Sequence, residues 1–166
     1  YAPRGVWLDG TRLVVADTMD LWINIMRADL DALLKNLDGL VLNDSEAKLL
    51  TGTENLVAAG RAVQQMGPKF VVIKKGEHGA MFFGEYETYV LPAFPTDRVV
   101  DPTGAGDSFL GAFMAALAFG IPLRQAVLRG SAAAAMVVAR VGCAPAMPDR
   151  SELDAFLADH PGPTAA

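Results

Sequence analysis

Apolar and polar positions along the chain follow two periods. A short apolar run, Arg12-Leu-Val-Val-Ala-Asp17, ends in an acid and predicts a buried strand. From Trp22 to Leu37 the apolar residues fall at Trp22, Ile25, Met26, Leu30, Leu33, Leu34 and Leu37, which predicts a helix with one apolar face. Asp38-Gly-Leu-Val-Leu-Asn43 predicts the next strand. Asp44 is placed to N-cap a helix through Leu50, and Thr51-Gly52 stops it. Asn55 to Met66 predicts another helix, ended by Gly67-Pro68.

The β-branched run Lys69-Phe-Val-Val-Ile-Lys-Lys75 predicts a strand. Gly76-Glu-His-Gly79 turns it into Ala80-Met-Phe-Phe83, and Glu87 to Leu91 is expected to pair with that segment as a hairpin. After a Pro-punctuated loop, Val99-Val100-Asp101-Pro102 leads into a glycine turn. Helices are expected over Ala105 to Phe119, from Pro122 to Val141, and from a Ser151 cap through Leu157. Strands separated by helices imply an α/β fold with a mainly parallel sheet and helices on its faces. Residues 1–160 are expected to form one domain, with 161–166 a frayed tail.

The 166 residues suffice for one domain with its own core, and 52% apolar against 20% charged residues describe a globular chain. A net charge of −5 without any basic stripe argues against a nucleic-acid partner. It leaves room for a phosphate, because backbone N–H groups bind anions without side-chain charge. Cys143 is the only cysteine, which excludes a disulfide framework and a cysteine-built zinc site. His78 and His160 are too few and too separated for a histidine metal cluster. No apolar run reaches the ~20 residues of a membrane span and no signal peptide opens the chain, so a cytoplasmic protein with no membrane partner is expected. The opening Tyr1-Ala-Pro-Arg-Gly5 reads as the interior of a longer protein.

The chemistry concentrates in Asp101-Pro-Thr-Gly-Ala-Gly-Asp-Ser-Phe109. Gly104 and Gly106 permit a sharp turn and close approach by a ligand. The N–H groups of Gly104, Ala105 and Gly106 would lie at a helix N-terminus, where the dipole favours an anion. Asp107 in the first helical turn is a dipole partner on one reading. On the other it is a base, since an acid beside a phosphate seat adds repulsion that is better explained by a proton-accepting role. The segment is not a Walker A loop, which needs Lys-Ser or Lys-Thr after its glycines, nor the dinucleotide fingerprint, whose third glycine is missing.

Asp-Pro-Thr-Gly-Ala-Gly-Asp-Ser-Phe resembles the C-terminal signature of the PfkB family of carbohydrate kinases. The resemblance implies a ribokinase-like fold, a three-layer Rossmann-like sandwich here truncated. It also implies an activity, transfer of the γ-phosphate of ATP to an alcohol group of a sugar or similar small molecule. Carried over, Gly104, Ala105 and Gly106 form the anion hole and Asp107 is the catalytic base. Asn43-Asp-Ser-Glu46 is similar to the family's Asn-x-x-Glu motif, in which Glu46 would help hold Mg²⁺ through water and Asn43 would lie near the nucleotide phosphates. An ordinary helix cap accounts for the same four residues. Lys75-Gly76-Glu77-His78-Gly79 resembles the strand-end turn that lines the nucleotide, and equally describes a plain hairpin turn.

Gly130-Ser-Ala-Ala-Ala-Ala135 with Val141-Gly142-Cys143-Ala144 resembles the adenine-flanking helix and loop, which would place Ser131 and Thr103 on the nucleotide; tight helix packing explains the small residues as well. Asp101 fits the position that holds a monovalent cation, K⁺, in some relatives. Asp17-Thr-Met-Asp20 ends the first strand on the ligand side of a parallel sheet, and either faces phosphates or caps a helix through Thr18 or Asp20. The Gly-Gly motif and the acceptor-gripping residues of the family's N-terminal half are not found. The acceptor, a sugar or a nucleoside, is therefore left open, as is a non-catalytic nucleotide-binding fragment. A homodimer is the assembly expected of a full-length protein.

Overall fold

The computed structural model describes residues 6–8 and 11–160. The expected tail, 161–166, lies outside them, as do residues 1–5. The chain divides at Val90 and Leu91 into two compact units.

The first unit opens with an antiparallel hairpin, β1 (Val6–Leu8) and β2 (Thr11–Leu13), in register Val6 with Leu13. β3 (Val15–Asp17) then starts a five-stranded sheet in the order β3-β4-β5-β6-β7. The single strand expected over Arg12 to Asp17 is thus two strands in two sheets. The change happens at Val14, whose N–H donates to Oδ2 of Asp38 at 2.8 Å while its carbonyl accepts the N–H of Asp38. That side chain takes the backbone donor and ends the hairpin ladder.

β4 (Gly39–Asn43) and β5 (Phe70–Lys74) continue the sheet in parallel, with Asp17 opposite Val41 and Asn43 opposite Lys74. β6 (Ala80–Phe83) returns antiparallel to β5, with β7 (Thr88–Leu91) beside it, as the hairpin reading expects. α1 (Asp20–Ile25), α2 (Arg27–Leu34), α3 (Asp44–Thr51) and α4 (Leu56–Gln65) supply one side of the core. Ile23, Leu30, Leu34, Ala47, Leu50, Ala59 and Val63 pack there with Leu40, Leu42, Val71, Ile73 and Phe83 of the sheet. The alternate residues of the same strands, Val41, Val72 and Phe82, are also buried, and Phe82 stacks between Phe70 and Tyr89. Burial on both faces explains why these strands read as unbroken apolar runs.

The helix expected from Trp22 to Leu37 breaks at Met26 (φ −127°), between α1 and α2. Its first half is turned from the expected face. Ile23 enters the core, while Trp22, Ile25 and Met26 stand exposed. β-branched Ile23 and Ile25 flank Asn24, whose side chain donates to the Asp20 carbonyl, so this segment holds a helix weakly. Two caps also sit one or two residues earlier than expected. Asn43 rather than Asp44 caps α3, and Asp149 rather than Ser151 caps α7 (Arg150–Asp159), because each has a Glu at N3 and closes a capping box.

In the second unit α5 (Ala105–Ala118) packs along α6 (Leu123–Val138), with Gly130 against Phe109. Helix α6 ends three residues short of the expected Val141. The N–H groups of Val100 and Asp101 bond the Val138 carbonyl, so the glycine turn is tied to the end of α6. Phe94, Ala132, Ala133, Met136 and Leu153 form a core of this unit with α7.

Candidate active site

In the first unit polar side chains gather beyond the C-terminal ends of β3, β4 and β5, the end at which parallel sheets bind ligands. Asn43 closes β4 and caps α3. Its Oδ1 accepts the Glu46 N–H at 2.8 Å, and Oε2 of Glu46 accepts the Asn43 N–H at 2.6 Å. Glu46 is only 7% exposed. Burial pushes its carboxyl above the usual carboxylate range; the Asn43 N–H pulls down, and the Asp17 charge pushes up further. The helix-cap reading of Asn43 to Glu46 is therefore satisfied in full. It does not exhaust the carboxylate, because only Oε2 is used in the cap.

Asp17 closes β3. Its Oδ1 accepts the Thr18 N–H and its Oδ2 accepts from Nζ of Lys74, both at 2.8 Å. Lys74 belongs to β5, so the ion pair reaches over the end of the intervening β4. The hydroxyl of Thr18 is buried with no partner among the described residues. The turn after β5 matches expectation: Gly76 (φ +56°) and Gly79 (φ +85°) hold a tight loop closed by the Lys75 N–H on the Gly79 carbonyl at 2.7 Å. The Lys75 side chain is half-buried and makes no hydrogen bond or ion pair among the described residues. Sequence reasoning chose Lys75 and missed Lys74. The signal was available in strand parity, since Lys74 is the residue in register with Asn43.

In the second unit Gly104 is the N-cap of α5 in the left-handed region (φ +83°), as the turn requires. Ala105, Gly106 and Asp107 fill the first helical turn, whose N–H groups have no intrahelical acceptor. One of the three expected anion-hole donors is committed elsewhere: the Ala105 N–H bonds the Pro102 carbonyl at 3.2 Å. Asp107 is exposed, and among the described residues its carboxylate has no partner. It opens onto a cavity of about 260 Å³ shared with Gly111, Ala115, Phe119, Arg129 and Arg150. Asp101 accepts the Thr103 N–H at 2.9 Å and the Gly142 N–H at 3.3 Å, and the Thr103 side chain, with these two N–H groups, holds its carboxyl below the usual range. Asp101, Thr103, Gly104 and the loop at Gly142 and Cys143 are thus brought together. Ser131 is half-buried in the middle of α6, beside the Gly130–Phe109 contact, and is not part of that group.

Among the described residues no group of three or more His, Cys, Asp or Glu is placed to hold a metal ion. Glu46 with Asn43 offers hard oxygen atoms of the kind that steady Mg²⁺ through its waters beside phosphate oxygens. No helix of the described residues is long and apolar enough to cross a membrane.

Comparison with known proteins gives one consistent result. The model of the pfkB family carbohydrate kinases matches residues 10–150. Over 101 residues the chain is 36% identical to the cytidine kinase of Thermococcus kodakarensis, a match covering 60% of this chain and 36% of that one. The Arabidopsis thaliana ribokinase solved with ribose and ATP superposes with a TM-score of 0.77 at 31% identity, covering 87% of this chain and 47% of that one. An Escherichia coli protein of ribokinase II type, solved with ATP and Mg²⁺, superposes with a TM-score of 0.76 at 30% identity, covering 84% of this chain and 45% of that one. The fold is ribokinase-like, and the chain spans half or less of the length of these relatives.

Proposed function

Because the chain belongs to the PfkB family of carbohydrate kinases, we propose that it carries the nucleotide-binding and phosphoryl-transfer part of an ATP-dependent kinase acting on an alcohol group of a small molecule. The observation that carries this reading is the start of α5. A left-handed Gly104 delivers a helix N-terminus, and Asp107 stands there exposed and unpartnered among the described residues. A purely structural carboxylate at this third helical position would turn back onto the N-cap N–H, as those of Glu46 and Glu152 do.

In the reaction Asp107 takes the proton of the attacking hydroxyl. The N–H groups of Gly104 and Gly106 stabilise charge on the transferring phosphoryl group, the Ala105 N–H being held by the Pro102 carbonyl. Mg²⁺, when bound, neutralises charge on the phosphate oxygens. Glu46 orients the waters of that ion, and Asn43 holds Glu46 through the capping box. Lys75, Gly76, Gly79, Thr103 and Ser131 are proposed to line the nucleotide, and Asp101 to serve a monovalent cation. The acceptor is a sugar or a nucleoside, the two classes found among the relatives.

A second reading has one observation in its favour. The chain spans half or less of its relatives' length, so alone it would bind nucleotide without transferring phosphate. Positioning the acceptor in line is worth roughly 7–11 kcal/mol in favourable cases, and a chain that does not hold the acceptor forgoes it. Calorimetry with MgATP, run beside an ADP-release assay with ribose and cytidine, separates the readings. Binding with acceptor-dependent ADP release that falls about 10²–10⁴-fold in Asp107→Asn, at unchanged MgATP affinity, supports the kinase. Binding without release supports the second reading, and no binding overturns both.

A further inference from the structure

The loop between α6 and α7 touches the glycine turn through its first residues. The Gly142 N–H donates to Oδ2 of Asp101 at 3.3 Å, and Cys143 lies against Gly104, the N-cap of α5. The chain then makes a short 3₁₀ turn, Ala144–Ala146, and enters α7. Arg140, just past the end of α6, reaches back over this loop. Its Nη1 donates to the Ala146 carbonyl and its Nη2 to Oε1 of Glu152, both at 3.1 Å. The other oxygen of Glu152, Oε2, accepts the Asp149 N–H at 3.1 Å in the capping box of α7. One guanidinium thus joins the end of α6, the far end of the loop and the first turn of α7.

Stability alone gives this arrangement little reason. The Arg140 and Glu152 side chains are 35% and 46% exposed, and ion pairs in that setting contribute little. Placement is a better reason. A guanidinium holds two acceptors at once in a fixed fork, which an ammonium cannot do. The loop needs such a tie, because Val141 is exposed and Gly142 takes a φ of +89°, so burial does not fix the stretch before Cys143.

We infer that Arg140 is a positioning residue for phosphoryl transfer. It clamps the loop to Glu152, holds Cys143 against Gly104, and so keeps the N–H groups of Gly104 and Gly106 aimed at one point. This rests on the ATP-dependent reading above. Arg140 acts through the loop and not by touching the reacting atoms. Small displacements are enough for such a role, since a misplacement of about 1 Å can cost roughly 10²-fold in rate.

Cys143 is the only cysteine, so its alkylation by iodoacetamide reads the loop alone. In Arg140→Met the alkylation rate should rise at least a few-fold. MgATP affinity in calorimetry should fall roughly threefold to tenfold, the worth of one hydrogen bond. The melting temperature should fall by no more than roughly 2–4 °C, as for an exposed ion pair. Glu152→Gln keeps the capping box and removes the charged acceptor of Arg140. It should move alkylation and affinity in the same directions, and should add little in the Arg140→Met background. It also keeps the test open if Arg140→Met does not fold. Unchanged alkylation or unchanged MgATP affinity in a folded variant overturns the inference and leaves the kinase reading standing. A large fall in melting temperature accompanying both changes makes Arg140 a stability residue and overturns it too. Failure of the unaltered chain to bind MgATP removes the kinase reading and this inference with it.

Discussion

Gly104 lies directly beneath Cys143: a Cβ built on the glycine would stand 2.5 Å from the cysteine Sγ and 3.2 Å from its Cβ. A side chain at position 104 would force the Cys143 sulfur to turn away and the rest of Cys143 to give by a few tenths of an ångström. The glycine is needed twice over, since its φ of +83° is also costly for any residue with a Cβ.

Gly104→Ala should accordingly lower stability by about 1–2 kcal/mol from the backbone alone, and more from the clash. In a chain of this size that is a fall in melting temperature of roughly 3–8 °C. Cys143→Ala in the same background removes the sulfur and should recover only the sulfur's share of the clash, because the Cβ and Cα at 3.2 and 3.3 Å remain. Thermal melts of the two single variants and the double variant check this. Full recovery in the double variant would show that the left-handed backbone costs nothing, and no recovery would show that the loop moves away freely.

Asp101 predicts a dependence on acid. Its carboxyl is held below the ordinary value of 3.8 by the Thr103 side chain first, and then by the Thr103 and Gly142 N–H groups. A folded-state value below the unfolded one gives stability that is present above the unfolded value and is lost as pH falls through the folded one. Asp101→Ala should therefore melt lower than the unaltered chain at pH 7, and the gap should narrow below about pH 4 as the carboxylate it lacks becomes protonated in both states. Melts followed from neutral pH into acid measure the gap. An equal gap at all pH values would assign the effect to shape and not to charge.

Glu46 carries the opposite sign. Burial raises its folded-state value above 4.5, so the ionised form at neutral pH costs stability that returns as pH falls through the folded value and is complete below the unfolded one. Gln keeps the capping box. Glu46→Gln should thus melt above the unaltered chain at pH 7, with the difference vanishing toward pH 4, while the Mg²⁺ requirement for ATP binding weakens. A residue that stabilises when it is removed and is needed for the ligand is one placed for function. A lower melting temperature at pH 7 would make Glu46 an ordinary cap.

What the sequence disclosed and what it hid differ in physical kind. The turn at Gly104 was legible because glycines at fixed spacing before a helix permit few backbone conformations. β4, β5 and the hairpin β6–β7 were legible because burial on both faces leaves unbroken apolar runs. The break at Met26 and the rotation of α1 were hidden, because Trp22, Ile25 and Met26 fit a helical period as well as Ile23 does, and only packing decides which face turns inward. Caps shifted by a residue or two for a similar reason: Asn43 and Asp44 are both good caps, and the Glu three positions after Asn43 made the choice. Lys74 was hidden because its partner lies 57 positions away and two strands over. Val14 and Val15 are buried, as the apolar run Arg12 to Asp17 predicts, although β3 is the edge strand of its sheet among the described residues.

The surface prone to association is α1 and its flanks. Trp22 is 46% and Ile25 62% exposed, and Met19, Leu21 and Met26 are exposed beside them. Single exposed apolar residues are ordinary on protein surfaces, but five within eight positions make a contiguous patch, and patches of that kind are covered or they aggregate. The adjoining β3 adds a strand edge with no partner among the described residues, which promotes the same outcome. The 166-residue chain should therefore self-associate with rising concentration, seen as an increase in weight-average mass in sedimentation. Trp22→Gln with Ile25→Lys should return it to the monomer. Neither side chain is in the core, so the double variant should keep the melting temperature of the dilute chain to within roughly 0.5 kcal/mol of stability per site. A chain that stays monomeric at high concentration, or a double variant that associates as before, would place the driving surface somewhere other than α1.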